Sequence, residues 1–171
     1  MEGRKTRRVS EARCHERETG FPNRDRRTAM ILYLETSDLV KLYVQESNSD
    51  RILRLAAEAE AVTTSIVAYA EARAAFARKY REKGIAGEDY KLIKRDLDRD
   101  WERLFVIKLT DSLVKSAGNL AEKWGLRGFD ALHLSSALEL RRNVQVPIVF
   151  SSSDMRLSES AKSEGLETQF V

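Results

Sequence analysis

From residue 30 onward, short apolar runs alternate with longer segments whose apolar residues recur at helical spacing. Residues 30–34 and 146–150 are compact apolar runs, which is typical of buried strands. Residues 88–104 instead place large apolar side chains three and four positions apart among dense charges, which is typical of a surface helix. Strands that alternate with helices predict a mostly parallel sheet covered on both faces. We therefore predict an α/β fold of three layers with about five short strands.

The complete pattern assigns nearly every residue after position 29 to a strand or a helix. The predicted strands are residues 30–34, 61–64, 105–109, 146–150 and 167–171. The predicted helices are residues 38–44, 47–60, 65–83, 88–104, 111–124, 130–142 and 153–163. Gly84 and Gly87 separate two long helices, and we expect this pair to form an αα-hairpin that projects from the sheet.

This hairpin carries more aromatic area than the packing of one helix needs. Its rings are Tyr69, Phe76, Tyr80, Tyr90 and Trp101. Aromatic side chains are enriched where proteins meet, so we expect part of this surface to bind another chain. The open alternative is that the rings only pack the two helices together.

Composition favours a single soluble domain. The chain has 171 residues, of which 42% are hydrophobic and 33% are charged, and this length suits one domain with a sizeable core. No run of 18 apolar residues is present, so the sequence predicts no membrane span. Cys14 is the only cysteine, which excludes an internal disulfide. We expect a cytoplasmic protein.

The positive charge is concentrated at the amino terminus. Residues 1–29 hold nine Lys or Arg and five Asp or Glu, a net charge of +4, whereas residues 30–171 have a net charge of −1. The first segment has almost no apolar periodicity, so we expect a basic, disordered extension that precedes one domain at 30–171. Such an arm can add phosphate contacts. Alternatively, translation starts at Met30 and the extension is not natural.

Four carboxylates fall where this fold brings side chains together. Glu35 ends the first apolar run, and Asp154 follows the run at 146–150 after a short serine stretch. Parallel strands place their carboxyl ends at one edge of the sheet, where ligands bind. Glu71 lies among alanines of a helix, and Asp130 lies at a predicted helix start. No cysteine or histidine cluster competes, so the set predicts a site for Mg²⁺ or Mn²⁺.

Each carboxylate also has an ordinary structural interpretation. Glu71 interrupts a stripe of small residues, so its charge needs either a cation or a salt bridge to Arg78. Asp130 has the residue type of a helix N-cap, and Asp154 suits the first turn of a capped helix. Ser37 and Ser152 are expected to support the carboxylates through hydrogen bonds.

Basic residues near the acidic centre are candidates for contacts with a polyanion. They are Lys41, Arg73, Arg78 and Lys79, and each is equally explained as a solvated surface charge. His133 lies one turn after Asp130 on the same side of the predicted helix. It is a further candidate for contact with a substrate or with a side chain that holds the metal, although a packed or surface histidine is the commoner case.

Four segments in order resemble the signature of PIN-domain ribonucleases, and especially the VapC-type toxins of prokaryotic toxin–antitoxin pairs. They are residues 33–44 (YLETSDLVKLYV), 65–71 (SIVAYAE), 129–134 (FDALHL) and 150–157 (FSSSDMRL). The resemblance spans residues 30–171. It implies a PIN-like fold in which the four carboxylates hold one or two Mg²⁺ or Mn²⁺ ions and activate water to cut RNA. It also implies a small antitoxin as partner and a homodimer.

One position departs from that family, because Glu35 stands where the family usually has Asp. Glutamate is one methylene longer, and Mg²⁺ tolerates little distortion of its octahedral shell. An alternative function is therefore a catalytically impaired PIN-like module that binds RNA or protein. A phosphoacceptor receiver domain is disfavoured, because the strand at 146–150 leads into serines where that fold needs a lysine.

Overall fold

A computed structural model describes residues 29–170 of the chain, and its centre is one five-stranded sheet. The strands are β1 (Ile31–Leu34), β2 (Ala61–Ser65), β3 (Phe105–Ile107), β4 (Ile148–Ser152) and β5 (Glu167–Phe170). Their order is β3-β2-β1-β4-β5, and every neighbouring pair is parallel. The predicted parallel α/β sheet is therefore confirmed. Its carboxyl ends form one common edge.

Within residues 29–170, seven helices connect and cover the strands. They are α1 (Thr36–Val40), α2 (Ser49–Glu58), α3 (Val67–Arg81), α4 (Gly87–Trp101), α5 (Asp111–Trp124), α6 (Gly128–Asn143) and α7 (Met155–Ser163). The main correction concerns β4, which lies two residues later than predicted. Pro147 has no N–H to donate, and its carbonyl instead accepts from Ile31 N at 2.9 Å. The regular ladder thus begins at Ile148 and extends into two buried serines.

The central strand β1 separates two hydrophobic cores. Leu32 and Leu34 face the core that includes residues of α1 to α4, whereas Tyr33 faces the core that includes residues of α5 to α7. This is the alternation of faces along a strand. All three side chains are fully buried, and full burial of a Leu stabilises a fold by about 1.5–3 kcal/mol. The sheet thus forms the middle of three layers, with one hydrophobic core on each of its faces.

The aromatic rings of the α3–α4 hairpin contact one another. Tyr69 meets Trp101 edge-on at 5.2 Å between ring centroids, and Tyr80 stacks on Tyr90 at 4.8 Å. Phe76 is fully buried. These contacts agree in part with the alternative that the rings pack the two helices together, but Tyr80 stays 44% exposed. A partner on this surface stays a prediction.

The predicted disordered extension lies outside the described residues, apart from its last position. Within residues 29–170, no helix has both the length and the hydropathy that a membrane crossing needs.

Candidate active site

Glu35 lies at the junction of β1 and α1, where it caps its own helix. Its Oε2 accepts hydrogen bonds from the backbone N of Ser37 at 3.0 Å, from the Ser37 hydroxyl, and from the Ser152 hydroxyl at 3.1 Å. Both serines therefore contact a carboxylate, as the sequence predicts. Burial raises the pKa of Glu35, although His133 and the two serines oppose this shift.

Glu71 projects from α3 toward the start of α1. Its Oε2 accepts from the Thr36 hydroxyl at 2.7 Å and lies 3.0 Å from Nε2 of His133. Burial acts to raise the pKa of Glu71, but the hydrogen bonds from His133 and Thr36 outweigh it, and the pKa is lowered. The alternative salt bridge to Arg78 is wrong, because tertiary contacts supply the partners of this carboxylate.

His133 is fully buried and joins three side chains of the site. Its Nδ1 lies 3.1 Å from the Tyr33 hydroxyl, and its Nε2 lies 2.9 Å from the Thr36 hydroxyl as well as near Glu71. Because the Thr36 hydroxyl donates to Glu71, its oxygen is available to accept from Nε2. The Nε2–H can then be shared between Thr36 and Glu71, and the Tyr33 hydroxyl lies within hydrogen-bonding distance of Nδ1. The buried ring thus contacts and positions Glu71, and a direct contact of His133 with substrate stays a prediction.

Asp130 lies in the first turn of α6 and is half-buried. The helix begins two residues earlier than predicted, with Arg127 at the N-cap, so the capping role for Asp130 is wrong. Among the described residues, no hydrogen bond to its carboxylate is found. Burial, followed by the nearby charge of Asp154, raises the pKa of Asp130, and Arg127 opposes this effect.

Asp154 occupies the end of the sheet beyond β4, where it is the N-cap of α7. Its Oδ1 accepts from Leu157 N at 2.9 Å, and its own N donates to the Ser152 hydroxyl at 3.0 Å. Ser152 consequently bridges the two strand ends, because the same hydroxyl donates to Glu35. The N-cap of α7 is therefore also part of the acidic edge of the sheet.

Three of the four carboxylates share a pattern in which one oxygen is anchored and the other is open. Oε2 of Glu35, Oε2 of Glu71 and Oδ1 of Asp154 accept the hydrogen bonds described above. Within residues 29–170, their second oxygens have no hydrogen-bond donor. Asp130 leaves both of its oxygens open. The anchors fix each carboxylate and leave it able to bind something further.

These open oxygens fit a hard divalent cation. Carboxylate oxygens are the ligands of Mg²⁺ and Mn²⁺, and Mg²⁺ commonly keeps several waters beside one or two carboxylates. Burial, and then the charge of Asp154, raises the pKa of Asp130, and a nearby cation would oppose both effects by stabilising the ionised form. In the described part of the chain, no group of three or more acidic, histidine or cysteine side chains is arranged so that it could hold a metal ion. An ion held by one or two of these carboxylates would therefore need waters as its other ligands.

Asp38 is a buried acidic residue that sequence reasoning missed. It is fully buried and accepts from the hydroxyls of Ser151 and Ser153, each at 2.6 Å. Lys41 lies 3.0 Å from the same carboxylate and donates to Ser153 at 2.5 Å. This network ties α1 to the end of β4. Lys41 is buried in this network, and its contact with a polyanion stays a prediction.

The other basic candidates differ in where they point. Arg73 lies 3.3 Å from Asp98 on the hairpin and donates to Tyr69, and its contact with substrate stays a prediction. Lys79 forms an ion pair with Glu46. Only Arg78 of the four candidates lines the groove beside the carboxylates without an ion pair in the described structure.

The fold and the acidic strand edge match a known family. The PIN domain family model matches residues 32–162, and the chain belongs to this family. It is similar to ribonuclease VapC45 of Mycobacterium tuberculosis strain CDC 1551 / Oshkosh, with 34% identity over 108 residues. That match covers 63% of this chain and 75% of the relative. Ribonuclease VapC49 of strain ATCC 25618 / H37Rv gives the same values.

Solved structures show the same fold. The crystal structure of VapBC2 from Rickettsia felis, bound to a DNA fragment from its promoter, aligns with a TM-score of 0.56 and 17% identity. The alignment covers 83% of this chain and 99% of that one. The crystal structure of FitAcB from Neisseria gonorrhoeae gives 0.56 and 14%, over 82% and 96% of the two chains. At these identities the likeness concerns the fold alone.

Proposed function

We propose that this protein is a divalent-metal-dependent endoribonuclease and the toxin of a toxin–antitoxin pair. The observation that carries the proposal is the set of anchored carboxylates at one edge of a parallel sheet. Glu35, Glu71 and Asp154 each keep one oxygen open, and Asp130 keeps both open, within the described residues. The similarity to curated ribonucleases supports RNA as the substrate.

In this proposal, the four carboxylates hold one or two Mg²⁺ or Mn²⁺ ions. When bound, such an ion lowers the pKa of a coordinated water and neutralises charge on the phosphoryl oxygens. The protein's own contribution is orientation. Ser37 and Ser152 fix Glu35, whereas Thr36 and His133 fix Glu71. Fixed ligands need little reorganisation during the reaction, which is the main electrostatic benefit of a preorganised site.

The longer side chain of Glu35 is compatible with this arrangement. Its Oε2 accepts from the first turn of α1 while the other oxygen has no donor within residues 29–170, and an aspartate at an N-cap can accept the same hydrogen bond. We therefore expect Glu35→Asp to preserve or raise activity and Glu35→Ala to abolish it.

The partners in the proposal are RNA, a small antitoxin protein and a second copy of the chain. The antitoxin rests on the similarity to VapC relatives and on structural neighbours that are VapBC and FitAB assemblies. A homodimer follows from the resemblance and is tested by light scattering of the purified protein.

The direct experiment is cleavage of total RNA by the purified full chain in Mg²⁺, Mn²⁺ or EDTA. We expect fragments with either metal and none in EDTA, because the open carboxylates alone do not activate water. Asp130→Asn, purified in parallel, controls for contaminating nucleases and should be inactive. Cleavage in EDTA, or wild-type cleavage by this variant, would contradict the proposal. Binding of RNA without cleavage under any condition would favour the catalytically impaired module.

A further inference from the structure

A groove of about 550 Å³ leads away from the carboxylates along α3. We call it the basic groove, and its lining includes Glu35, Glu71, Ala74, Ala75, Arg78 and Arg81 together with the paired residues Lys79 and Glu46. Its acidic end is the candidate active site. Its other end carries two arginines of the last turns of α3. The groove thus joins a centre that suits a cation to a region that suits an anion.

The two arginines of the groove are free to bind a ligand. Arg78 and Arg81 are both exposed, and their guanidinium groups have no ion pair or hydrogen bond within residues 29–170. Neighbouring cations are occupied, since Lys79 pairs with Glu46 and Arg73 pairs with Asp98. The cationic end of the groove is therefore set by two guanidinium groups, each able to bind phosphate oxygens in a bidentate manner.

Between its two ends, the groove is lined by small side chains of α3. Ala74 and Ala75 lie one turn after Glu71 and one turn before Arg78, and neither has a side chain beyond Cβ. A flexible chain can therefore pass from one end to the other without a steric barrier. Arg78 and Arg81 are three residues apart on one helix, so their positive charges lie in a single row along one face of α3. A single row of positive charges can pair with the row of phosphates of one nucleic-acid strand.

Helix geometry gives the spacing between the two ends. Arg78 and Arg81 follow Glu71 by about 10 Å and about 15 Å along the axis of α3, at 1.5 Å per residue. A stacked strand advances about 3.4 Å per nucleotide, so these distances span about three and about four nucleotides. The groove is therefore long enough for a short stretch of strand and not for a single nucleotide only.

We propose that the basic groove binds an unpaired stretch of RNA on one side of the phosphodiester that is cut. Arg78 and Arg81 hold phosphates about three and about four nucleotides from that bond. This inference rests on the proposed ribonuclease function and adds the path of the strand. It also explains how a domain of net charge −1 at residues 30–171 recruits a polyanion to an acidic centre.

The test measures binding of a fluorescent 16-nucleotide RNA of random sequence in EDTA, where cleavage is prevented. Anisotropy titrations at several salt concentrations compare the wild type with Arg78→Ala/Arg81→Ala, Arg78→Lys/Arg81→Lys and Arg95→Ala. Arg95 is the matched control, because it is exposed on the neighbouring helix and has no ion pair in the described structure. The alanine pair should weaken binding about tenfold. Its salt slope should fall by about 1.4, at about 0.7 per phosphate contact on a single strand.

The lysine pair should retain most of the affinity, and the Arg95 variant should match the wild type. Wild-type RNA affinity in the alanine pair would overturn the inference. The inference would also be overturned if the alanine pair bound RNA like the wild type but lost binding to a polyglutamate peptide, because that result would indicate an acidic protein ligand. An equal loss in the Arg95 variant would also overturn it, because the effect would then be general charge.

Failure of the groove and failure of the ribonuclease proposal give different results. Cleavage of RNA by the wild type is measured beside the binding titrations. If the wild type cleaves and the alanine pair does so with unchanged KM, the groove is wrong and the ribonuclease stands. If the wild type never cleaves but the alanine pair loses RNA affinity, the ribonuclease is wrong and the groove stands. The combined account predicts a raised KM with little change in kcat.

Discussion

Two isosteric substitutions in the site should change stability in opposite directions. Glu71→Gln removes the charge from a carboxylate that accepts from Thr36 and lies within hydrogen-bonding distance of His133. Asp130→Asn removes the charge from a carboxylate that has no hydrogen bond in the described structure and lies near Asp154. The pKa of Glu71 is lowered and the pKa of Asp130 is raised. The fold therefore favours the ionised form of the first and disfavours that of the second.

The magnitudes follow from the hydrogen bonds. A bond to a charged group contributes about 1.5–3 kcal/mol and a neutral one about 0.5–1.5 kcal/mol. Glu71 is 26% exposed, so we expect Glu71→Gln to lower the free energy of unfolding by about 1–2 kcal/mol. In Asp130→Asn, relief of the repulsion should raise the free energy of unfolding by about 0.5–1 kcal/mol. At about 2–4 °C per kcal/mol, Tm should fall by several degrees in one variant and rise by a few in the other.

Activity should be lost in both variants. Several kcal/mol of electrostatic help to phosphoryl transfer is removed in each case, and every 1.4 kcal/mol is about tenfold in rate. The assay is thermal melting in EDTA beside RNA cleavage in Mn²⁺, with Glu122→Gln as a control on an exposed carboxylate of α5. The control should leave both readouts unchanged. A higher Tm for Glu71→Gln, or a lower one for Asp130→Asn, would refute the assignment of their environments.

Three further predictions concern the support of the fold. Tyr33→Phe leaves Nδ1 of buried His133 without its hydrogen-bond partner, so chemical denaturation should show a loss of about 1–3 kcal/mol in the free energy of unfolding. Glu164 accepts from Lys123 and Trp124, both at 2.8 Å, and these bonds lower its pKa. Because the folded pKa is depressed, their stabilisation exists above the unfolded value of about 4.3 and is lost as pH falls through the folded pKa. Glu164→Gln should therefore melt below the wild type at pH 7 and approach it at pH 3–4, whereas a constant difference would argue against the ion pair. A chain that begins at Met30 should stay soluble and keep its Tm, because β1 begins after it, and loss of soluble protein would contradict this.

The parts of the site that depend on chain topology were predictable from the sequence. Glu35 and Asp154 each follow an apolar run, and parallel strands bring such positions to one edge of the sheet. Ser152 was predictable as support for the same reason. The cation candidates were less predictable, because the partners of Arg73 depend on how two helices of the hairpin face each other.

Contacts between residues distant in sequence could not be predicted. Tyr33 and His133 are 100 positions apart, and only the packing of α6 against the sheet brings the ring to Glu71. A helical projection instead suggested the local partner Arg78 for that carboxylate. Asp38 was missed because its pairing with Lys41 resembles an ordinary helical ion pair, whereas the buried hydroxyls that complete the network come from the end of β4.

Calorimetric titration of Mn²⁺ into the purified protein tests the central claim most directly, because it measures the site without any RNA. If the open carboxylates form a metal site, the wild type should bind one or two ions, and the Glu122→Gln control should bind identically. Asp130→Asn should bind at least about tenfold more weakly, since loss of one charged ligand removes more than 1.4 kcal/mol. Equal Mn²⁺ affinity in the wild type and Asp130→Asn, or no binding in either, would contradict the account.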